Sequence, residues 1–445
     1  MAGYAVLGCQ GAPAGAPELG CLPARNLPFY DISYLAWGRA EERIIHNEGM
    51  TSVPPHRSSS AAPGAVASEE SFDGLHIRGI SKTFGANTTV LREIDLDVRP
   101  GEMISLVGSS GTGKSTLLRI IAGLEDPTTG RVTYGGQPLG RGSVGVVFQR
   151  PILYPHLSVK DNILFPTRLR AFSGEADMDY YRELLAALKL EELENRKPSQ
   201  LSGGQAQRVG IARALIRRAP VVLFDEPLAS VDEEMSASIR ADIVRLHERY
   251  GFTGLYVTHD QNEALMLGHR VAVMDSGYLV QVDTPGRLLD YPHTLQVAKL
   301  LSAPALNLLD IEPEASLPAD CRLAIRASSF YELGEEDAEQ SHGVLPAQVL
   351  GQRHLVGGML YRAALSETAT LPVASEQLGE DGHPVEPSDV EEAEYSVRVP
   401  AGQELEFFVS DAEGISYAIG SMVRLAVAPQ RCFLFSEGKR FYLGE

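Results

Sequence analysis

Hydrophobic and polar positions fall into a regular order from about residue 75. Leu75-His76-Ile77 and Ile94-Asp95-Leu96-Asp97-Val98 alternate apolar and polar, which predicts strands with one buried face. Ile104-Ser-Leu-Val107 and Val221-Val222-Leu223-Phe224 are short apolar runs, as expected of strands covered on both faces. Such runs alternate with helical stretches up to about residue 300, which predicts an α/β sheet with crossover helices over residues 73–305. Within it, Asp177 to Leu193 reads as one amphipathic helix carrying Leu184, Leu185, Leu188 and Leu193 on one side, mostly as core. Beyond Leu306 the runs are short and strand-like, as in Arg322–Arg326 and Met422–Val427, with no long helix. Residues 306–445 are therefore expected to form a small, all-β, barrel-like domain.

The first 72 residues follow neither period. They are rich in Ala, Gly, Pro and Ser, a composition that buries little apolar surface and predicts a disordered leader. An aromatic cluster of Phe29, Tyr30, Tyr34 and Trp37 is left unexplained by that reading. Val6-Leu7-Gly8-Cys9 has the look of a lipoprotein cleavage site but lacks the basic and apolar regions such a signal requires. Met50 offers an alternative start.

Composition narrows the function. The chain has 445 residues with 39 Lys+Arg and 58 Asp+Glu, a balance of −19. From Leu301 onward 24 acidic residues face 9 basic ones, a balance of −15 that would repel a phosphate backbone, so nucleic acid is not expected as a partner. Nine of those acidic residues fall between Ser366 and Glu394, a stretch without Lys or Arg that reads as a solvated insertion. Four cysteines make no disulfide framework, and no apolar run approaches the roughly 18 residues of a membrane-spanning helix.

The chemistry sits in two strand ends. After Ile104–Val107 comes Gly108-Ser109-Ser110-Gly111-Thr112-Gly113-Lys114-Ser115-Thr116 and then an apolar helix start, the phosphate loop of P-loop NTPases in its strand–loop–helix setting. The glycines let backbone N–H groups close around a phosphate, Lys114 reaches its outer oxygens, and the Ser115 hydroxyl suits Mg²⁺. The second strand ends in Asp225-Glu226. Asp225 is placed to hold the Mg²⁺ shell and Glu226 to act as general base on an attacking water. An apolar strand ending in Asp-Glu is common and mostly structural; beside a phosphate loop it points to a triphosphatase.

Between these elements lies Leu201-Ser202-Gly203-Gly204-Gln205-Ala-Gln207-Arg208, followed by Val209-Gly-Ile-Ala-Arg213-Ala-Leu215. This string resembles the signature of ATP-binding-cassette ATPases, and the resemblance runs from Ile80 to about Leu309. It implies that two chains bind two ATP molecules head to tail, Ser202, Gly203, Gly204 and Gln205 of one chain meeting the γ-phosphate held by the other. It also implies roles for Phe84 (adenine stacking), Gln149 (sensing Mg²⁺ and water), Asp232 (the dimer interface) and His259 (positioning the γ-phosphate). Ser109 and Thr112 stand where relatives often carry Pro and Cys, with no expected loss, because the backbone makes the contacts there.

Leu153–Val159, Val257-Thr-His-Asp-Gln261 and Gln281-Val-Asp-Thr-Pro285 are similar to bacterial import ATPases for sugars of the maltose type. Leu301-Ser-Ala-Pro304-Ala-Leu-Asn307 matches the join before their C-terminal OB-like, TOBE-type regulatory domain, with Leu323–Arg326 and Cys432–Phe435 where strands would lie. The acidic insertion departs from that pattern. The resemblance implies a peripheral subunit on the cytoplasmic face of the membrane. There a helical subdomain over about 150–201, with Gln149–Val159, would meet two permease subunits working with an extracellular solute-binding protein. Polyamine, ferric-iron, molybdate and glycerol-phosphate importers share this layout. A soluble cassette ATPase outside transport, or a module whose C-terminal domain chiefly docks a regulator, is the alternative from other classes.

Overall fold

In the computed structural model the parallel strands lie where unbroken apolar runs predicted them. The structure describes residues 73–441 apart from 86, 141, 170–176, 315, 334–342 and 375–393. The leader, its aromatic cluster, Met50 and the centre of the acidic insertion lie outside the described residues.

A six-stranded sheet in the order β10-β9-β3-β8-β7-β6 forms the centre. Its strands are β3 (Met103–Val107), β6 (Val144–Val147), β7 (Val221–Asp225), β8 (Thr253–Val257), β9 (Arg270–Asp275) and β10 (Tyr278–Asp283), all parallel except the β9–β10 pair. An antiparallel sheet of β1 (Leu75–Phe84), β2 (Thr88–Val98), β4 (Thr129–Tyr134) and β5 (Gln137–Pro138) covers one face. Successive side chains of β7 explain its unbroken apolar text. Val221 and Leu223 pack with Ile77, Ile94, Ile104 and Leu117, while Val222 and Phe224 pack with Tyr181, Leu184, Val209 and Ile239 on the other face.

The helices of this region are α1 (Lys114–Ile121), α2 (Val159–Leu164), α3 (Met178–Ala187), α4 (Gly203–Leu215), α5 (Glu233–Tyr250), α6 (Gln261–Leu267), α7 (Pro285–Asp290) and α8 (Leu295–Leu300). The single helix expected over Asp177 to Leu193 is corrected here. Asp177 caps α3 by accepting N–H bonds from Asp179 and Tyr180, but the helix ends at Ala187. Lys189 takes φ 56°, and the N–H groups of Lys189 and Leu190 bond back to the carbonyls of Ala186 and Leu185, a Schellman stop. Leu193 belongs to a separate 3₁₀ turn, yet all four leucines are buried.

From Leu306 onward the described secondary structure is strands with short 3₁₀ turns. The strands are β11 (Leu306–Asp310), β12 (Arg322–Arg326), β13 (Tyr331–Glu332), β14 (Gly343–Leu355), β15 (Gly358–Leu365), β16 (Ala369–Ala374), β17 (Glu394–Val399), β18 (Glu404–Ser410), β19 (Met422–Val427), β20 (Cys432–Ser436) and β21 (Lys439–Arg440). They form a sheet β11-β12-β20-β21, a sheet β13-β19-β14-β15-β18 and the antiparallel pair β16–β17. Their shared core includes Leu323, Leu345, Tyr361, Phe407, Leu425 and Leu434. β16 lies inside the stretch read as a solvated insertion, correcting that reading there, and β17 starts at its last residue, Glu394: Leu371 and Val373 of β16 and Val397 and Val399 of β17 are buried in that core.

Candidate functional site

Register places three strand ends side by side. Leu106 of β3 and Asp225 of β7 are both paired with Val257 of β8, so the loops that follow emerge at one edge of the sheet. In parallel α/β sheets that C-terminal edge is where ligands bind.

The first loop is Gly108–Gly113. A Cβ on Gly108 would lie 2.3 Å from the Met274 carbonyl oxygen, and one on Gly113 (φ 104°) 2.6 Å from Leu91 Cδ2, so neither position accepts a side chain. Thr112 Oγ1 donates to the Ser109 carbonyl at 2.9 Å and tightens the turn. Every other α-helix described opens with a Ser, Thr or Asp side chain accepting its first N–H groups; α1 opens at Gly113 with none. Its first N–H donors are left for an anion.

Lys114, 6% exposed, donates from Nζ to the carbonyls of Gly108 (2.7 Å) and Ser109 (2.9 Å). Burial lowers its pKa from the ordinary lysine value, opposed by the nearby carboxylates of Glu226 and Asp225. Ser115 Oγ donates to Asp225 Oδ1 at 3.3 Å. Burial raises the Asp225 pKa against that hydrogen bond, so a cation there would favour its ionised form. A hydroxyl and one carboxylate are hard oxygen donors of the kind that hold a Mg²⁺ ion keeping most of its water.

Glu226 breaks β7 with φ 45°, a left-handed conformation unusual outside glycine, while its N–H donates to the Val257 carbonyl at 2.9 Å. The turn aims its carboxylate at His259, with Oε2 and Nδ1 3.2 Å apart. His259 leaves β8 through Thr258, whose hydroxyl donates to the buried Glu263 at 2.7 Å. Phe84 ends β1 with its ring 42% exposed and the Lys82 ammonium 4.8 Å from the centroid.

The structure thus brings together Gly108–Thr116, Asp225, Glu226 and His259. Gln149 is fixed by its backbone, its carbonyl accepting from Ser230 Oγ at 3.1 Å. Ser202 and Gln205 are engaged with each other in a capping box that opens α4: Ser202 Oγ accepts the Gln205 N–H (3.2 Å) and Gln205 Oε1 the Ser202 N–H (3.0 Å). Asp232 caps α5 through the Met235 N–H at 2.9 Å. The two caps are neighbours, since a Cβ on Gly204 would fall 2.5 Å from Met235 Cγ. Sequence reasoning missed a brace beneath them, the buried ion pair of Arg208 on α4 with Asp242 on α5 at 2.9 Å. Arg208 was visible only as motif text, and nothing in the helical period marks Asp242 as its partner.

Residues 91–229 match the family described as ABC transporter. The chain is 44% identical over 242 residues to the sn-glycerol-3-phosphate import ATP-binding protein UgpC of Yersinia pestis bv. Antiqua (strain Antiqua), covering 53% of this chain and 68% of that one. It is 40% identical over 298 residues to UgpC of Salmonella typhi, covering 64% and 82% respectively. It is also 40% identical over 276 residues to the trehalose/maltose import ATP-binding protein MalK of Thermococcus litoralis (strain ATCC 51850 / DSM 5473 / JCM 8560 / NS-C), covering 59% and 74%. A phosphate loop and an Asp-Glu strand end on one sheet edge, with relatives of this identity and coverage, mean that this chain belongs to the ABC transporter family as an ATP-binding ATPase.

Proposed function

We propose that this chain hydrolyses ATP for an importer of a carbohydrate or a closely similar polyol phosphate. The relatives named for trehalose/maltose and sn-glycerol-3-phosphate import support that substrate class. The observation that carries the reaction is the convergence of Lys114, Ser115, Asp225, Glu226 and His259. N–H groups of Gly108–Thr116 bind the phosphates, Lys114 swings from its two carbonyls to the outer oxygens, and Phe84 stacks on the base. Ser115 and Asp225, with Gln149, would hold Mg²⁺, which neutralises phosphate charge when bound. Glu226 accepts the proton of the attacking water, held in place by His259.

A second copy of the chain completes each site with its Ser202–Gln205 loop and Asp232. Two membrane permeases, serving a solute-binding protein outside, dock on Gln149–Val159, where Ile152 is 64% and Tyr154 39% exposed. No described helix is long and apolar enough to cross a membrane, and attachment at the cytoplasmic face runs through those permeases. Residues 73–305 act as the ATPase domain and 306–445 as an OB-like, TOBE-type regulatory domain; the separate β core supports that division.

Replacing Glu226 by Gln is expected to keep ATP binding, lower turnover by about 100-fold or more, and yield an ATP-bound dimer on size exclusion. Turnover equal to the parent would remove Glu226 as the base, and a variant that stays monomeric with ATP and Mg²⁺ would remove the head-to-tail site.

A further inference from the structure

His259 stands between the end of β8 and the first turn of α6, its side chain 59% exposed and within 3.2 Å of Glu226 Oε2. A side chain so open takes its direction from the backbone on either side. Three hydrogen bonds close that backbone into a ring. Thr258 Oγ1 donates to Glu263 Oε2 at 2.7 Å, the Glu263 N–H donates to Asp260 Oδ1 at 3.1 Å, and the Asp260 N–H donates to Thr258 Oγ1 at 3.0 Å. The ring spans His259 and takes no hydrogen bond from it. The Thr258 N–H bonds in turn to the Leu106 carbonyl at 3.2 Å, which ties the ring to the strand leading into the phosphate loop.

Capping α6 needs only Asp260, which also accepts the Asn262 N–H at 2.8 Å. Glu263 has a separate task. It is 7% exposed on a helix that also buries Ala264 and Leu267, where an apolar side chain would hold the helix at lower cost than a carboxylate. Its Oε2 accepts a second bond, from the Tyr256 hydroxyl of β8 at 3.2 Å, and its Oε1 lies 3.9 Å from Arg240 Nη2 of α5. Strand, helix and loop therefore hold the carboxylate that the Thr258 hydroxyl meets, and with both its donor and acceptor roles used that hydroxyl has one orientation.

We infer that Thr258 and Glu263 are positioning residues that fix the backbone on both sides of His259 and so hold its imidazole against Glu226. The ring is read from the hydrogen bonds, and its effect on turnover rests on the role proposed for His259.

Single-turnover ATP hydrolysis by the full chain with Mg²⁺, beside a fluorescent-ATP titration, tests this. Thr258→Val removes both hydroxyl bonds and should slow hydrolysis by about tenfold with ATP affinity unchanged. Thr258→Ser keeps the hydroxyl and should recover most of the rate. Glu263→Leu removes the acceptor instead and should reproduce the Thr258→Val loss; should either fail to fold, Thr258→Ala makes the same comparison. In the His259→Ala background the Thr258→Val loss should shrink to less than about twofold, because the group it positions is gone. A loss that stays tenfold in that background overturns the inference and leaves His259 its role. So does a Thr258→Val chain at the parental rate, or a Thr258→Ser chain as slow as Thr258→Val. His259→Ala at the parental rate overturns the role of His259 itself, and the inference with it.

Discussion

Glu226 carries the sharpest backbone demand in the site. A non-glycine residue at φ 45° costs on the order of 1 kcal/mol or more, and persists here because its N–H is tied to Val257 and its flanking strand is locked between β6 and β8. The Asp-Glu pair was legible as chemistry, but the turn that separates the directions of its two carboxylates was not, since it is set by neighbouring strands. Gly108 is constrained more simply. Gly108→Ala is expected to abolish nucleotide binding in a fluorescent-ATP titration, because the methyl group would meet the Met274 carbonyl. His247 had no sequence signal at all. It is buried against Phe252 and His269, its Nε2 has no hydrogen-bond partner, and burial pushes its pKa down to about 4. The unfolded chain then binds a proton that the folded chain refuses between pH 6.5 and 4, so stability falls as pH drops through that window. His247→Phe should remove about 2 kcal/mol of the stability difference between pH 7 and pH 5 in urea unfolding.

Among the elements, helix starts share one chemistry. Ser158, Asp177, Ser202, Asp232, Asp260, Thr284 and Thr294 all stand just before helices and all cap them. The α3 stop was misread because its αL residue is Lys189 rather than Gly or Asn, the residues that announce such a turn. Asp232→Ala should destabilise the fold by about 1 kcal/mol in chemical unfolding, the ordinary loss of an N-cap. If Asp232 also meets a second copy, the same substitution should weaken the ATP-bound dimer of Glu226→Gln, while Asp232→Asn should restore the cap.

For the whole molecule, a sheet with crossover helices was legible up to about residue 300, whereas the separate antiparallel sheet of β2, β1, β4 and β5 was not. The joining of the β region to the cassette was not, because its contacts link residues far apart in sequence. Arg431 pairs with Asp290, the Leu295 N–H bonds to the Gly438 carbonyl, and the guanidinium groups of Arg326 (5.0 Å) and Arg440 (4.5 Å) both lie over the Phe433 ring. The Asp290 carboxylate pairs with Arg431 and acts on Arg326, while its main-chain carbonyl accepts from Arg440 Nη1 at 3.1 Å. Asp290→Ala is expected to loosen this seam, seen as faster tryptic cleavage near Lys299, with ATP affinity unchanged. The Ser202 cap has a consequence for assembly too. A hydroxyl accepts with its lone pairs and still has a proton to give. In the proposed head-to-tail dimer, Ser202 can therefore greet an incoming phosphate without releasing its own helix, and aspartate in its place would keep the helix start but turn the welcome into repulsion. Such a chain would fold, load nucleotide and remain solitary.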